Sequence, residues 1–317
     1  MSPASTPPAR ARAAPPPRVL LVHMPWGALE RPALGLSLLE AALTQRGMPC
    51  RTLYLNLRLA DRLGAATYGW ITHDLPHIAF AGEWLFTEAL YGADAARDAA
   101  FVQQILRDTW RLAEADITRL LQARRVIEAF LDEAQQAVEA EGADLVGFTS
   151  TFEQNLASLA LAQRLKAKRP ELLTAFGGAN WEGVMGQTLH RRFPFVDLAF
   201  SGEADESFPA VMQALTRHRQ PGLDRDHAFM DISGLVFRRS DGSPAATGPA
   251  TPAPTPAPTG PAHSQLVCKP GDLARITWLP GHACPAPASC SLVGEQPREG
   301  KGAPGRRWGA DLGMCLC

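Results

Sequence analysis

The sequence predicts an α/β fold: a Rossmann-like, flavodoxin-type parallel sheet of about five strands flanked by helices. Short continuous apolar runs, such as residues 18–23 and 173–176, have the length and composition of strands that are buried on both faces. Glycine-containing turns follow several of these runs, and segments with helical spacing follow the turns. Strand, turn and helix form the repeating unit of a parallel sheet, and we expect the strand order 2-1-3-4-5.

The predicted strands alternate with helices along the chain. The first strand is residues 18–23, and the spacing of apolar residues over 32–46 predicts the helix after it. Leucines that alternate with polar residues predict the second strand at 50–57. The remaining predicted strands span residues 143–149, 173–176, 196–200 and 234–238.

Residues 58–141 are too many for an ordinary connection between two strands. Residues 95–141 contain neither glycine nor proline, and they predict two or three helices with a buried stripe that includes Trp110, Ile117 and Leu131. We therefore predict a helical insertion after the second strand. The helical spacing of its tryptophans favours core packing over ligand contact.

Composition excludes several classes of function. The chain has 317 residues, 46% of them hydrophobic, and a net charge of -1. A near-neutral balance gives no electrostatic reason to expect nucleic acid or an anionic membrane as partner, and no apolar run approaches the roughly 18 residues of a spanning helix. Five of the six cysteines lie at or after Cys268, which is not a disulfide framework, so the cytoplasm is the expected compartment.

Both ends of the sequence fall outside the α/β pattern. Residues 1–17 are rich in proline and alanine and lack the apolar core of a secretory signal, so we expect a disordered tail. Periodicity is lost from residue 243 onward, and 247–261 is a low-complexity tract. The sequence therefore predicts one domain at 18–242 and a disordered tail at 243–317.

Several common ligand sites are missing. The sequence has no Walker phosphate loop and no Gly-x-Gly-x-x-Gly after the first strand, which leaves a Walker site unsupported and weakens a nicotinamide site. Thr149, Ser150 and Thr151 stand where a receiver domain would need an exposed aspartate, and their hydroxyls suit a neutral, bulky ligand. His23 is isolated, and a metal site needs several convergent ligands, so we predict no metal site.

Six segments together resemble a known family. They are LVHMPWG, GEWLF, GFTSTFEQN, FGGANWEG, HRRFPFVD and SGEADESFP. In content and order they resemble the N-terminal part of the ribosomal-peptide (RiPP) maturation radical S-adenosylmethionine (SAM) C-methyltransferases, over residues 18–240. The resemblance implies a cobalamin-binding Rossmann-like domain followed by a radical SAM barrel with a 4Fe–4S cluster. It also implies a precursor peptide as substrate.

By this resemblance, cobalamin would lie across the carboxyl ends of the strands, in contact with four strand-end loops. The matching positions are His23, Met24, Pro25 and Trp26; Thr149, Ser150, Thr151, Gln154 and Asn155; Gly177, Gly178, Ala179 and Asn180; and Gly202, Glu203 and Ala204. The Asp-x-His-x-x-Gly element of some cobalamin domains is missing, which implies binding without a protein histidine on cobalt. We expect Gly177 and Gly178 to be the most sensitive positions.

The sequence departs from the family at the iron–sulfur motif. It contains no Cys-x3-Cys-x2-Cys, and the spacing of its cysteines does not offer three thiolates for a cluster. A barrel of roughly 200 or more residues does not fit after residue 243. The expectation is a cobalamin-binding domain that is truncated before the barrel and is not catalytic alone. The alternatives are a non-catalytic cobalamin- or nucleotide-binding module and a decayed gene product.

Overall fold

A computed structural model describes residues 15–218 and 224–250. The expectation of disorder for residues 1–14 and for 251–317 falls outside these residues. Within them, no helix combines the length and the apolar character needed to cross a bilayer.

The described residues form one sheet with the strand order β2-β1-β3-β4-β5-β6-β7. Strands β1 to β5 pair in parallel, whereas β6 and β7 are antiparallel. The strands are β1 (Val19–His23), β2 (Cys50–Tyr54), β3 (Leu145–Thr149), β4 (Leu173–Gly177), β5 (Leu198–Phe200), β6 (Leu235–Arg238) and β7 (Pro244–Ala246). The predicted fold class and the order 2-1-3-4-5 are therefore confirmed, and an antiparallel pair extends the sheet beyond β5.

Helices cover both faces of the sheet. They are α1 (Leu34–Gln45), α2 (Leu55–Leu63), α3 (Ala65–Gly69), α4 (Ala81–Leu85), α5 (Thr87–Tyr91), α6 (Ala95–Ala100), α7 (Glu114–Arg124), α8 (Ile127–Glu141), α9 (Asn155–Lys168), α10 (Gly183–Arg192), α11 (Ser207–His218) and α12 (Arg225–Met230). Short π-helical segments at Trp70–Asp74 and Phe101–Thr109 join helices of the insertion.

The insertion is helical, as predicted, but it begins earlier than residue 58. Strand β2 ends at Tyr54, and α2 starts at Leu55. Leu55 and Leu59 are both fully buried, and their spacing of four residues places them on one face of a helix. The alternation of leucines over 50–57 therefore misplaced the end of the second strand.

The ordered chain also extends past residue 243, where the sequence predicted a disordered tail. Gly242, with φ of +83°, closes a turn in which its N–H donates to the carbonyl of Arg239. The chain then returns as β7, which pairs with β6. Pairing with a neighbouring strand thus orders a segment that has no hydrophobic pattern of its own.

The two faces of the parallel sheet meet different partners. We call the face that packs against the insertion the insertion face; its buried residues include Leu20, Val22, Val146, Phe148 and Phe176. The opposite face, which we call the α1 face, carries Val19, Leu21, Leu145, Ala175, Leu198 and Phe200 and packs against α1 and α11. Because side chains alternate along a strand, both sets come from the same strands.

Candidate functional site

A slot opens on the α1 face at the carboxyl ends of β3, β4 and β5. Ligands of parallel α/β sheets bind at this edge. The slot has a volume of about 140 Å³. Leu21, Gly147 and Ala175 form its floor, α1 forms one wall, and Phe208 of α11 lies opposite. Its lining residues are Leu21, Leu34, Gly35, Leu36, Leu38, Leu39, Gly147, Phe148, Thr149, Ala175, Phe176, Gly177, Gly178, Phe200, Gly202, Glu203, Ala204, Asp205 and Phe208.

Small residues in the middle of two strands create this space. A Cβ atom on Gly147 would lie 2.9 Å from Cδ2 of Leu21 and 3.8 Å from the ring of Phe208. Ala175 fills little of the neighbouring position on β4. A larger side chain at Gly147 would therefore occupy the slot.

The wall formed by α1 is apolar and unusually exposed. Leu34 has 61% of its surface exposed and Leu38 has 41%. Exposed large apolar side chains that line a cleft are typical of a ligand or partner site. The helix begins after Ala33, whose methyl group cannot cap the first backbone N–H groups. The first turn of α1, which borders the slot, therefore has backbone N–H groups that no side chain caps.

Glycine turns form the other side of the slot. Gly178 has φ of +94° and Gly202 has φ of +86°, values that other residues rarely adopt. A Cβ on Gly178 would lie 2.7 Å from the carbonyl oxygen of Ser150, so this turn packs directly against the end of β3. Gly177 is not in this conformation, and a Cβ there would meet Phe200 at an ordinary 3.8 Å.

The structure brings part of the predicted set of site residues to the slot. Thr149, Gly177, Gly178, Gly202, Glu203 and Ala204 line it. The others lie outside its lining, at the end of β1 and in the loop after it, and in the segments that follow β3 and β4.

The loop after β1 packs into the insertion instead. Met24 is fully buried, and its carbonyl accepts a hydrogen bond from Nε2 of Gln154 at 2.7 Å. Pro25 is buried, and the ring of Trp26 lies 5.1 Å from that of Tyr68. The predicted contacts of Met24, Pro25 and Trp26 with a cofactor are not supported, because these side chains are enclosed by the protein.

His23, the last residue of β1, borders the slot without lining it. It pairs with Thr149 in the sheet, and its ring meets that of Tyr54 edge-on at 5.6 Å. Burial lowers the pKa of His23 to about 4, so the imidazole is neutral near pH 7. Its Nδ1 atom has no hydrogen-bond partner among the described residues, and that part of the chain contains no group of three or more His, Cys, Asp or Glu that could hold a metal.

Polar side chains of the predicted set join the loops after β3 and β4 to each other. Oδ1 of Asn155 accepts hydrogen bonds from Nε1 of Trp181 at 3.1 Å and from Oγ of Ser150 at 3.4 Å. Nδ2 of Asn180 donates to the same Ser150 oxygen at 3.0 Å. Thr151 bonds to the side chain of Gln154 and caps the short helical turn that follows, whereas Ala179 is exposed beside the network. The hydrogen-bonding groups that predicted ligand contact are therefore used within the protein.

Sequence reasoning missed the residues that shape the slot: Leu34, Leu38, Gly147, Ala175 and Phe208. One signal was present, since a glycine inside a strand often marks a place where another group approaches closely. The apolar spacing of α1 predicted a helix, but it did not show that the sheet covers only part of its apolar face.

No family model matches the chain, and no curated protein matches it. Two similar solved structures are of the radical S-adenosylmethionine methyltransferase TsrM from Kitasatospora setae, one with cobalamin and a [4Fe–4S] cluster bound and one with tryptophan substrate and a SAM analogue bound. Both are 16% identical with a TM-score of 0.38, and they cover 84% and 74% of this chain, respectively. This chain spans 31% of the length of the TsrM chain in each.

Proposed function

We propose that this domain binds cobalamin at the carboxyl edge of its parallel sheet. We further propose that it serves a cobalamin-dependent radical SAM protein that modifies a ribosomally made peptide, with C-methylation as the expected reaction. The observation that carries the proposal is the open apolar slot over a glycine floor at that edge. The choice of cobalamin comes from the family resemblance of residues 18–240.

The slot suits the nucleotide tail of cobalamin, which ends in a flat, bicyclic and largely apolar base. Gly147 leaves room above the floor, and Leu34 and Leu38 offer apolar contact along one wall. The hydroxyl of Thr149 and the backbone of the turn at Gly177 offer hydrogen bonds at the rim. The uncapped start of α1 suits the phosphodiester of the tail, because helix N-termini favour anions.

The corrin ring is too large for the slot and would lie over the edge of the sheet. Exposed apolar side chains stand there, including Phe152 with 68% of its surface exposed and Val184 with 76%. His23 is held between Tyr54 and Gly27, which agrees with a cobalt that has no protein histidine. When bound, the cofactor supplies a methyl group carried on cobalt; the residues of this chain hold and orient it.

A nucleotide-binding module is the second candidate, and the small volume of the slot favours it. A space of about 140 Å³ suits the flat base of any nucleotide. The two candidates differ in what would cover the exposed apolar side chains at the carboxyl edge of the sheet. The corrin ring of cobalamin would cover them, whereas a simple nucleotide has no macrocycle to do so.

Titration of the full chain with hydroxocobalamin tests the proposal. We expect one corrinoid per chain and a changed visible spectrum, with no competition from adenine nucleotides. Gly147→Val should lower the affinity about tenfold or more by filling the slot, whereas Gly69→Val, where a Cβ meets nothing within 4 Å, should not. Binding of adenine nucleotides without any corrinoid would favour the second candidate.

The 4Fe–4S cluster, SAM and the precursor peptide remain expectations from the family. Cys50 is the free cysteine among the described residues, and the cysteines after it lack the three-thiolate spacing. Anaerobic reconstitution with iron and sulfide should therefore give no stoichiometric cluster on this chain. A preparation with about four irons per chain that cleaves SAM would contradict this expectation.

A further inference from the structure

Two buried glutamates join the helical insertion to the loop after β3. Glu83 lies in α4, and its carboxylate accepts hydrogen bonds from the backbone N–H groups of Asn155 at 2.9 Å and Leu156 at 2.6 Å, in the first turn of α9. Glu153, just before α9, accepts one from the N–H of Gly82 at 2.8 Å, in the first turn of α4. Glu83 therefore caps the start of α9, and Glu153 caps the start of α4.

Both carboxylates are enclosed by protein. Glu83 has 9% of its surface exposed and Glu153 has 3%. A buried carboxylate is unfavourable unless hydrogen bonds compensate for the lost water, and the N-termini of two helices supply part of that compensation here. This arrangement holds the starts of α4 and α9 at a defined separation.

A chain of hydrogen bonds continues from Glu83 to the slot. Asn155, whose N–H bonds to Glu83, accepts through Oδ1 from Ser150 and Trp181. The N–H of Ser150 donates to the carbonyl of Gly177 at 2.9 Å. Gly177 lines the slot, so the contacts run without a break from the insertion to the ligand site.

We propose that Glu83 is a positioning residue that sets the place of the Gly177–Gly178 turn through Asn155 and Ser150, and thereby sets the affinity of the slot for its ligand. The helical insertion then helps to position the site. The identity of the ligand rests on the proposed function, whereas the coupling from Glu83 to the turn does not.

The ionisation of Glu83 gives this coupling a measurable signature. Burial, aided by the charge of Glu153, raises the pKa of Glu83 to about 7. The other charged or titratable groups around it are His77 beyond Glu153, Tyr91 on α5 and Arg124 on α7, which bonds to the carbonyl of Trp84. An ionised carboxylate accepts its two hydrogen bonds more strongly than a protonated one, so ligand affinity should rise between about pH 6 and about pH 8.

Glu83→Gln is the first test, because its amide group can accept only one of the two backbone hydrogen bonds. We expect cyanocobalamin, whose axial ligand does not titrate in this range, to bind about tenfold more weakly and without the pH step. In the ligand-free protein, hydrogen exchange at the amides of residues 177–181 should become faster. Glu133→Gln, which removes a carboxylate bonded to Arg58 and Arg62 elsewhere in the insertion, should change neither result.

Ser150→Ala is the second test, and it decides the matter if Glu83→Gln does not fold. It removes the Oγ contacts to Asn155 and Asn180 and should also weaken binding and speed exchange at 177–181. Because both residues belong to one chain of contacts, the losses in the double variant should not add.

The outcomes separate the two proposals. Folded Glu83→Gln and Ser150→Ala variants with unchanged exchange at 177–181 would overturn the coupling, whatever the ligand. Faster exchange in both variants, in a protein that binds no corrinoid, would support the coupling and remove the proposed function. Weaker binding with a retained pH step in Glu83→Gln would overturn the role of its carboxylate.

Discussion

The two faces of the parallel sheet are built from the same strands, but the insertion face is filled, whereas the α1 face leaves a slot at its carboxyl edge. On the insertion face, Phe148 and Phe176 stack with ring centroids 4.9 Å apart, and Trp181 packs on Phe176 at 4.5 Å. On the α1 face the neighbouring positions are Gly147 and Ala175, and the space above them is the slot. Of the adjacent residues along β3 and β4, the aromatic ones therefore fill the core, and the small ones leave the slot.

We expect this difference to separate stability from ligand binding. The aromatic residues of the insertion face give the domain its close-packed core. The α1 face can then leave Leu34 and Leu38 exposed. Substitutions on the two faces should therefore change different measurements.

The largest effect on stability is expected for Phe148→Ala on the insertion face. Removing a buried phenylalanine leaves a cavity and costs about 3–5 kcal/mol of the free energy of unfolding. Urea denaturation followed by circular dichroism measures it. A loss below about 1 kcal/mol would show that the insertion face is loosely packed, and the comparison of the two faces would fail.

Glu83, a buried acid of the helical insertion, should make stability depend on pH. Its pKa is raised in the folded protein, so its contribution is fully present below the pKa of the unfolded chain and is lost as pH rises through about 7. The loss between about pH 4.5 and about pH 7.5 should approach 3 kcal/mol. Unfolding measured across this range in the parent and in Glu83→Gln isolates the effect, and parallel curves for the two proteins would contradict it.

Two adjacent glycines at the carboxyl edge of the sheet should differ in their effect on stability. Gly178→Val should cost about 1–3 kcal/mol of stability, because a side chain there has an unfavourable φ and meets the backbone of Ser150. Ligand binding should be lost with the displaced turn.

Gly177→Ala is the matched control, since its Cβ meets only Phe200 at 3.8 Å. We expect a normally folded protein whose corrinoid affinity falls by less than that of Gly178→Val. Equal losses of stability in the two variants would show that backbone conformation does not distinguish these glycines.

The smallest effect on stability is expected for Leu38→Ala on the exposed wall of the slot. An exposed side chain should change the free energy of unfolding by less than about 0.5 kcal/mol, while corrinoid affinity falls several-fold through lost apolar contact. Thermal denaturation and a corrinoid titration on one preparation test both parts. Unchanged affinity would place the ligand away from α1.

The repeating pattern of strand, turn and helix predicted the parallel core and its order, because burial on two faces requires continuous apolar runs. The antiparallel strands were harder to predict. Residues 234–238 read as a strand, but neither their direction nor the pairing of Pro244–Ala246 follows from composition. Strand β7 exists because β6 offers a free edge to the returning chain.

For the candidate site, the sequence alone predicted the strand-end residues that line the slot: the glycine turns after β4 and β5, with Thr149 at the end of β3. Only the tertiary structure decided which side chains remain available there. Ser150 and Asn155 are used to join loops, Trp26 fills the insertion, and Leu34 and Leu38 stay exposed. The physical reason is that hydrogen bonding and burial depend on neighbours distant in sequence, whereas strand and turn propensities are local.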